Sequence, residues 1–331
     1  MMKPALLLFA AALAASAAPC ASVADCTEWV ALSGGSARSL IYRTHALGTR
    51  NTAITRALII VHGAGRDADN YFRTSLASAF LAGALDDTAV IVPRFPSAEG
   101  NCRDKLAQNE IGWSCNGDSW RSGGGAPGNP ALNSFDLMDE ILRKVAKKDS
   151  FPNLKAIVVA GHSAGGQYVN RYGMANTVHD KLGVPVTYVV ANPSSYAYLD
   201  ASRPNAEGNK FGSFGDGRNC TTFNKWPYGL EDRIGGYTAK ISVEQLKQQL
   251  AARPVAYLPG EIDVLPLGGF DSSCPAMAQG PTRRARGEAF QKYVAEKLGA
   301  KQPAVIVPLC GHNARCMFTA DIAAPLLYPK Q

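Results

Sequence analysis

After its first two dozen residues the sequence has no apolar run long enough to anchor a chain in a bilayer, so no stable membrane anchor is expected. It also has no paired Cys-x-x-Cys accompanied by histidines at zinc spacing, which argues against a metal site. No internal repeat is visible. Histidine is scarce: five in 331 residues, so a search for a catalytic base has few candidates. Dense charge is scarce as well. The 34 basic and 27 acidic residues give a net charge of +7, and the basic ones are scattered. Their densest run is "RRAR", Arg283 to Arg286, and no nucleic-acid-binding signature accompanies it. The excess reads as solubility or mild attraction to anionic surfaces, with no nucleic-acid partner expected.

What is present describes a globular protein. With 46% hydrophobic and 18% charged residues, the chain can build one large core and is too well mixed to be disordered. Residues 1–24 read as a secretory signal: Lys3, an apolar stretch from Ala5 to Leu13, then small residues. Cleavage fits after Ala17 ("ASA") or after Ala24 ("SVA"). A secreted chain, extracellular or periplasmic, is therefore expected, with residues 25–331 as a single domain. Export turns the eight cysteines into disulfide candidates. Short loop closure favours Cys102 with Cys115 and Cys310 with Cys316, and Cys220 with Cys274 follows. Cys26 is left with Cys20, or with no partner if cleavage falls after Ala24.

Short β-rich runs recur at Ala57–Val61, Ala89–Val92, Ala156–Val159, Val186–Val190, Val255–Leu258 and Ala304–Val307. They do not alternate polar with apolar residues, as expected of strands buried on both faces in a parallel sheet. Between them, helical spacing over 133–147 and 282–298 predicts amphipathic helices. Alternating strand and helix predicts an α/β fold, a mostly parallel central sheet flanked by helices. Two irregular segments, 97–130 and 192–237, interrupt the alternation and are expected to act as lid or wall. Aromatic residues of the second segment could supply an apolar surface.

Chemistry concentrates at "VVAGHSAGGQYVNRY", residues 158–172. Gly161-His162-Ser163-Ala164-Gly165 is a Gly-x-Ser-x-Gly motif between an apolar strand and a helix. A sharp turn there would expose the serine hydroxyl, with glycines removing the side chains that would collide. A serine nucleophile needs a base, and the base needs an orienting acid. His312, in "VIVPLCGHNARC", follows the last apolar run and is the expected base. Asp263, in "VAYLPGEIDVLP", is the expected acid, with Glu261 in reserve and Asp271 third. Two backbone amides should stabilise an oxyanion: Ala164, which follows the nucleophile, and Ala64 in the glycine-rich "HGAGR". His62 reads as a structural residue of that loop.

Taken together, "HGAGRDADNYF", "AGHSAGGQYVNRY", "SCPAMAQGP" and "GHNARCMF" resemble the α/β-hydrolase superfamily, and within it secreted microbial esterase- or depolymerase-like enzymes. The resemblance runs from about Leu40 to Leu327. It implies an eight-stranded, mostly parallel sheet and a metal-free, cofactor-free Ser–His–acid triad acting on acyl bonds. The expected activity is a secreted serine esterase that cleaves a small-molecule or polymeric carboxylic ester. An amidase or peptidase, a polyester depolymerase, or a non-catalytic binding protein on the same fold are the alternatives. The cysteine-rich 97–130 segment departs from the common pattern and leaves the wall of the site unassigned.

Overall fold

The computed structural model describes residues 18–32, 35–116, 119–214, 219–233 and 235–330. Residues 1–17, most of the expected export signal, lie outside the described residues. In chain order the elements are strands β1 (Thr27–Ala31), β2 (Arg38–Arg43) and β3 (Arg56–Val61), helix α1 (Ala68–Leu81) and strand β4 (Thr88–Pro93). A small ribbon of β5 (Gly125–Ala126) and β6 (Asn129–Asn133) precedes α2 (Ser134–Val145), β7 (Ala156–His162), α3 (Ala164–Ala175) and β8 (Val186–Ala191). A second ribbon, β9 (Ser202–Pro204) with β10 (Phe211–Ser213), is followed by α4 (Val243–Ala252) and β11 (Val255–Leu258). Helices α5 (Cys274–Met277), α6 (Arg283–Leu298), α7 (Ala314–Thr319) and α8 (Ala324–Leu327) complete the described chain.

Seven strands form the central sheet in the order β1-β2-β4-β3-β7-β8-β11. The pairings β1–β2 and β2–β4 at one edge are antiparallel, and the other four are parallel. The uniform apolar runs are explained by burial on both faces. Along β3, Ala57, Ile59 and Val61 enter one core with residues of α2, α3, α4 and α6. Leu58 and Ile60 enter a second core with residues of α1 and α7. Each of the Leu, Ile and Val side chains contributes on the order of 1.5–3 kcal/mol by leaving water. Helix α2 starts where Asn133 and Asp136 form a reciprocal capping box, which satisfies otherwise orphaned amides.

The resemblance implied eight strands, and this is corrected to seven among the described residues. The run 304–307 lies beside β11 but pairs only through isolated bridges, Tyr257 with Ala304 and Gly260 with Val307. Backbone hydrogen bonds still join the two, from Tyr257 to Pro303, Val305 to Tyr257, Val307 to Pro259 and Glu261 to Val307, but Pro259 has no N–H to donate and leaves a gap in the ladder. The disulfides Cys102–Cys115, Cys220–Cys274 and Cys310–Cys316 expected from the sequence are present, and Cys26, left open there, pairs with Cys20. No described helix is long and apolar enough to cross a membrane. Not all of the basic excess is available for solubility: two arginines of the "RRAR" run are buried. Arg283 is 1% exposed and Arg286 0%, both on the inward stripe of α6 with Gly287, Phe290 and Val294.

Candidate active site

Strand β7 ends at His162 and α3 begins at Ala164, so Ser163 alone makes the turn. Its backbone sits at φ 59° and ψ −120°, a left-handed conformation that an L-residue holds only under constraint from its neighbours. The glycines of the motif are required by close backbone approach. A Cβ on Gly161 would lie 2.2 Å from the Gly165 carbonyl oxygen, and one on Gly165 would lie 2.1 Å from that of Val61. These contacts press the start of α3 against β3 and β7. The Ser163 amide donates to the Ala191 carbonyl at 3.0 Å, which ties the turn to β8 as well.

Two loops at the same edge of the sheet bring the other candidates to Ser163. Asp263 follows β11, and His312 follows the irregular strand-like segment beside it. His312 Nδ1 is 2.9 Å from Asp263 Oδ2, and His312 Nε2 is 2.9 Å from Ser163 Oγ. An ionised carboxylate only accepts, so Nδ1 carries the proton and Nε2 accepts from the serine hydroxyl. The Asp263 side chain is 1% exposed and that of His312 12%, so the line of hydrogen bonds is shielded from bulk water. The reserve carboxylates are occupied elsewhere. Glu261 accepts from the Leu309 amide at 2.7 Å, and Asp271 from the Tyr228 hydroxyl at 2.7 Å.

The loop after β3 borders Ser163 from the other side. A Cβ on Gly63 would lie 3.8 Å from Ser163 Cβ and 2.9 Å from the Tyr71 hydroxyl, so no larger residue fits without displacing Tyr71. Ala64 is exposed in the same loop and lines the cleft above Ser163. Ala164 is the first residue of α3, and its amide has no acceptor within the helix. His62 is fully buried: its Nδ1–H donates to the Gly63 carbonyl at 2.8 Å, and its Nε2 accepts from the Phe95 amide at 3.1 Å. Burial pushes its pKa down to about 4, and the neutral ring pins the loop to β4. His162 is buried under His312, with ring centroids 4.7 Å apart, and its Nδ1 is bonded to Tyr71 at 3.1 Å. Burial first, then the neighbouring His312 and Arg283, hold its pKa well below the ordinary imidazole value.

The cleft around Ser163 encloses about 660 Å³. Its lining comes from the loop after β3, α1, the turn at Ser163, Gly268 and Gly269, and residues 312–315. The aromatics expected to form an apolar wall are not among them. Tyr196 and Tyr198 are buried under α6 against Phe290 and Tyr293. Trp113 and Trp120 are buried behind Phe95. Among the described residues no group of three or more His, Cys, Asp or Glu could hold a metal ion. Arg283, whose Nη1 is 3.5 Å from Asp263 Oδ1, was missed at the level of sequence. The available signal was its register. Positions 283, 286, 287, 290 and 294 follow helical spacing, so two arginines share the buried stripe.

The chain matches the family model described as "Alpha/beta hydrolase family" over residues 58–324. No curated protein matches it in sequence. Among solved structures it resembles poly(aspartic acid) hydrolase-1 from Sphingomonas sp. KT-1, with TM-score 0.62 and 23% identity, covering 91% of this chain and 98% of that one. It also resembles a poly(3-hydroxybutyrate) depolymerase from Bordetella parapertussis, with TM-score 0.60 and 20% identity, covering 89% and 85%.

Proposed function

From the premise that the chain belongs to the alpha/beta hydrolase family, we propose that it is a secreted serine hydrolase of carboxylic esters. The observation that carries the reading is the unbroken line from Asp263 through His312 to Ser163, with 2.9 Å at both joints. Ser163 Oγ attacks the ester carbonyl carbon as its proton passes to His312 Nε2. Asp263 holds the imidazole in the required tautomer and offsets the charge of the imidazolium. The amides of Ala164 and Ala64 donate to the carbonyl oxygen as it gains charge. The tetrahedral intermediate collapses, the alkoxide leaves with the proton from His312, and water then attacks the acyl-enzyme by the same base to release the acid. Four disulfides support export. Processing after Ala17 fits the Cys20–Cys26 pair, since processing after Ala24 would put the two cysteines on separate pieces.

A second reading, hydrolysis of an apolar polyester, is favoured by the lip of the cleft. Ile262, Val264, Leu265 and Leu267 are exposed on the loop that carries Asp263 and Gly268, and Leu309 is 80% exposed on the adjoining one. Apolar side chains grouped beside a cleft suit an apolar chain better than a polyanionic one. The decisive experiment compares wild type and Ser163→Ala on p-nitrophenyl esters of increasing acyl length, on the amide of one of those acyl groups, and on a polyester film. Loss of all hydrolysis in the variant at unchanged melting temperature, with esters cleaved faster than the amide, is expected. Activity of Ser163→Ala within tenfold of wild type, or absence of Ser163 labelling by a fluorophosphonate probe, would overturn the assignment; the triad as a unit is worth on the order of a millionfold.

A further inference from the structure

The inward-facing arginines of α6 are not explained by the function proposed above. A helix that only needed to fill its buried stripe would use aliphatic residues, because a guanidinium gives up hydration that must be replaced group by group. Two of the Arg283 nitrogens have such replacements and the third has an ion pair without a hydrogen bond, and all converge on the candidate site. Its Nε donates to Ser194 Oγ at 2.8 Å, in the loop after β8. Its Nη2 donates to the Gly268 carbonyl at 3.0 Å. Its Nη1 faces Asp263 Oδ1 at 3.5 Å, and both side chains are at most 1% exposed. Asp263 therefore divides its oxygens: Oδ2 serves His312 and Oδ1 faces a buried cation. Gly268 matters for the same reason. A Cβ there would lie 3.0 Å from His312 Cδ2, so its backbone is the wall against which the imidazole rests. One side chain thus holds both the acid and the wall of the base.

We propose that Arg283 is a positioning residue for the reaction, acting through Asp263 and Gly268 and not on the substrate. The proposal rests on the Ser163–His312–Asp263 reading. Without the guanidinium, Asp263 would be a buried carboxylate with imidazole as its one side-chain partner, free to swing its oxygens away from Nδ1. The loop 261–269 would lose its tie to α6 at Gly268, while Arg284 still holds it through the carbonyls of Glu261 and Asp263. Arg286 provides the internal comparison. It is equally buried and donates to the carbonyls of Gly280 and Asp271, but the acid it holds near is not Asp263.

A double-mutant cycle tests this. The rates of Arg283→Met, Asp263→Asn and the pair are measured on a soluble fluorogenic short-chain ester, with Arg286→Met carried through the same cycle and melting temperatures recorded for all. Arg283→Met is expected to lower kcat by about tenfold or more while moving KM little, and to change the Asp263→Asn rate by less than about threefold. Arg283→Lys, which keeps the charge, should recover part of the loss. Arg286→Met should cost the same factor in both backgrounds. If Arg283→Met does not fold, Arg283→Lys carries the cycle with the same expected non-additivity. Equal losses from Arg283 substitution with and without Asp263 would reduce Arg283 to a structural residue and overturn the proposal. An active Ser163→Ala would instead overturn the triad reading, so the two failures are distinguishable.

Discussion

Gly165→Ala sets two effects of opposite sign against each other. Gly165 is the second residue of α3, where helix propensity alone favours alanine by about 1 kcal/mol. Contact geometry says otherwise. The new Cβ would lie 2.1 Å from the Val61 carbonyl oxygen and 2.7 Å from that of His62. A carbon and a carbonyl oxygen approach to roughly 3.3 Å at closest, so the start of α3 must retreat from β3 by about 1 Å. Both obstructing atoms are backbone, one in a central strand, and neither can rotate away. The retreat carries the Ala164 amide and Ser163 with it, and a misplacement of about 1 Å can lower a rate by about a hundredfold. Overpacking of this kind costs about 1–3 kcal/mol and should outweigh the propensity gain. The expected variant is folded, melts a few degrees lower, and has kcat reduced by roughly a hundredfold. The assay is turnover of a saturating p-nitrophenyl ester beside a thermal melt by circular dichroism. Gly48→Ala is the control, because a Cβ there meets nothing within 4 Å. A folded Gly165→Ala enzyme with kcat within twofold of wild type would refute the reasoning.

Three further outcomes are expected. Cys310→Ser with Cys316→Ser frees the loop that carries His312 and should lower kcat more clearly than melting temperature, since closing so short a loop is worth about 3 kcal/mol or less; full activity in the double variant would discard this. Glu261→Gln should leave kcat within about threefold, because that carboxylate serves the Leu309 amide, whereas Asp263→Asn should lose about ten-thousandfold; the reverse order would reassign the acid. Stability should fall as pH drops from about 6.5 towards 4, because between those values the unfolded chain binds a proton at His62 that the native state, with its pKa near 4, refuses. That single group amounts to about 3 kcal/mol, lost fully below pH 4. Asp139, pushed up to about 6 by burial, opposes it, since its native state binds the extra proton as pH falls. Asp139→Asn should therefore steepen the acid loss in melting temperatures recorded from pH 8 to 4, and an unchanged slope would count against this balance.

The parallel strands were legible because burial on both faces leaves a run rich in apolar and β-branched residues with no polar alternation, as at Ala57–Val61 and Val186–Val190. The antiparallel edge strands Thr27–Ala31 and Arg38–Arg43 were not. They mix buried with half-exposed residues, and "RSLIYR" is flanked by arginines that read as surface. The segment 304–307 has the composition of a strand, yet the facing Pro259 interrupts its ladder, and that is a tertiary fact. At the candidate site, spacing from the apolar runs was enough to nominate Ser163, Asp263 and His312. Glu261, two residues from Asp263 and chemically equivalent, is told apart only by which loop each carboxylate turns to. Arg283 was not singled out because composition alone does not tell a buried arginine from a solvated one, and only the helical register of α6 carries that signal.

The hydrogen bond between Ser163 and His312 joins positions 149 residues apart, and the one between His312 and Asp263 joins positions 49 apart. Neither can form until the sheet is ordered from β3 to β11 and the segment beyond it has settled along its edge. Loop-closure entropy must be met before such distant contacts return anything, so they form late when a chain folds. Helices and the β3–β4 and β7–β8 pairs, which join positions about 30 residues apart, can assemble from local and neighbouring contacts well before that. During refolding, ellipticity is thus expected to recover ahead of turnover, and turnover reports a finished molecule where ellipticity reports only an assembled one.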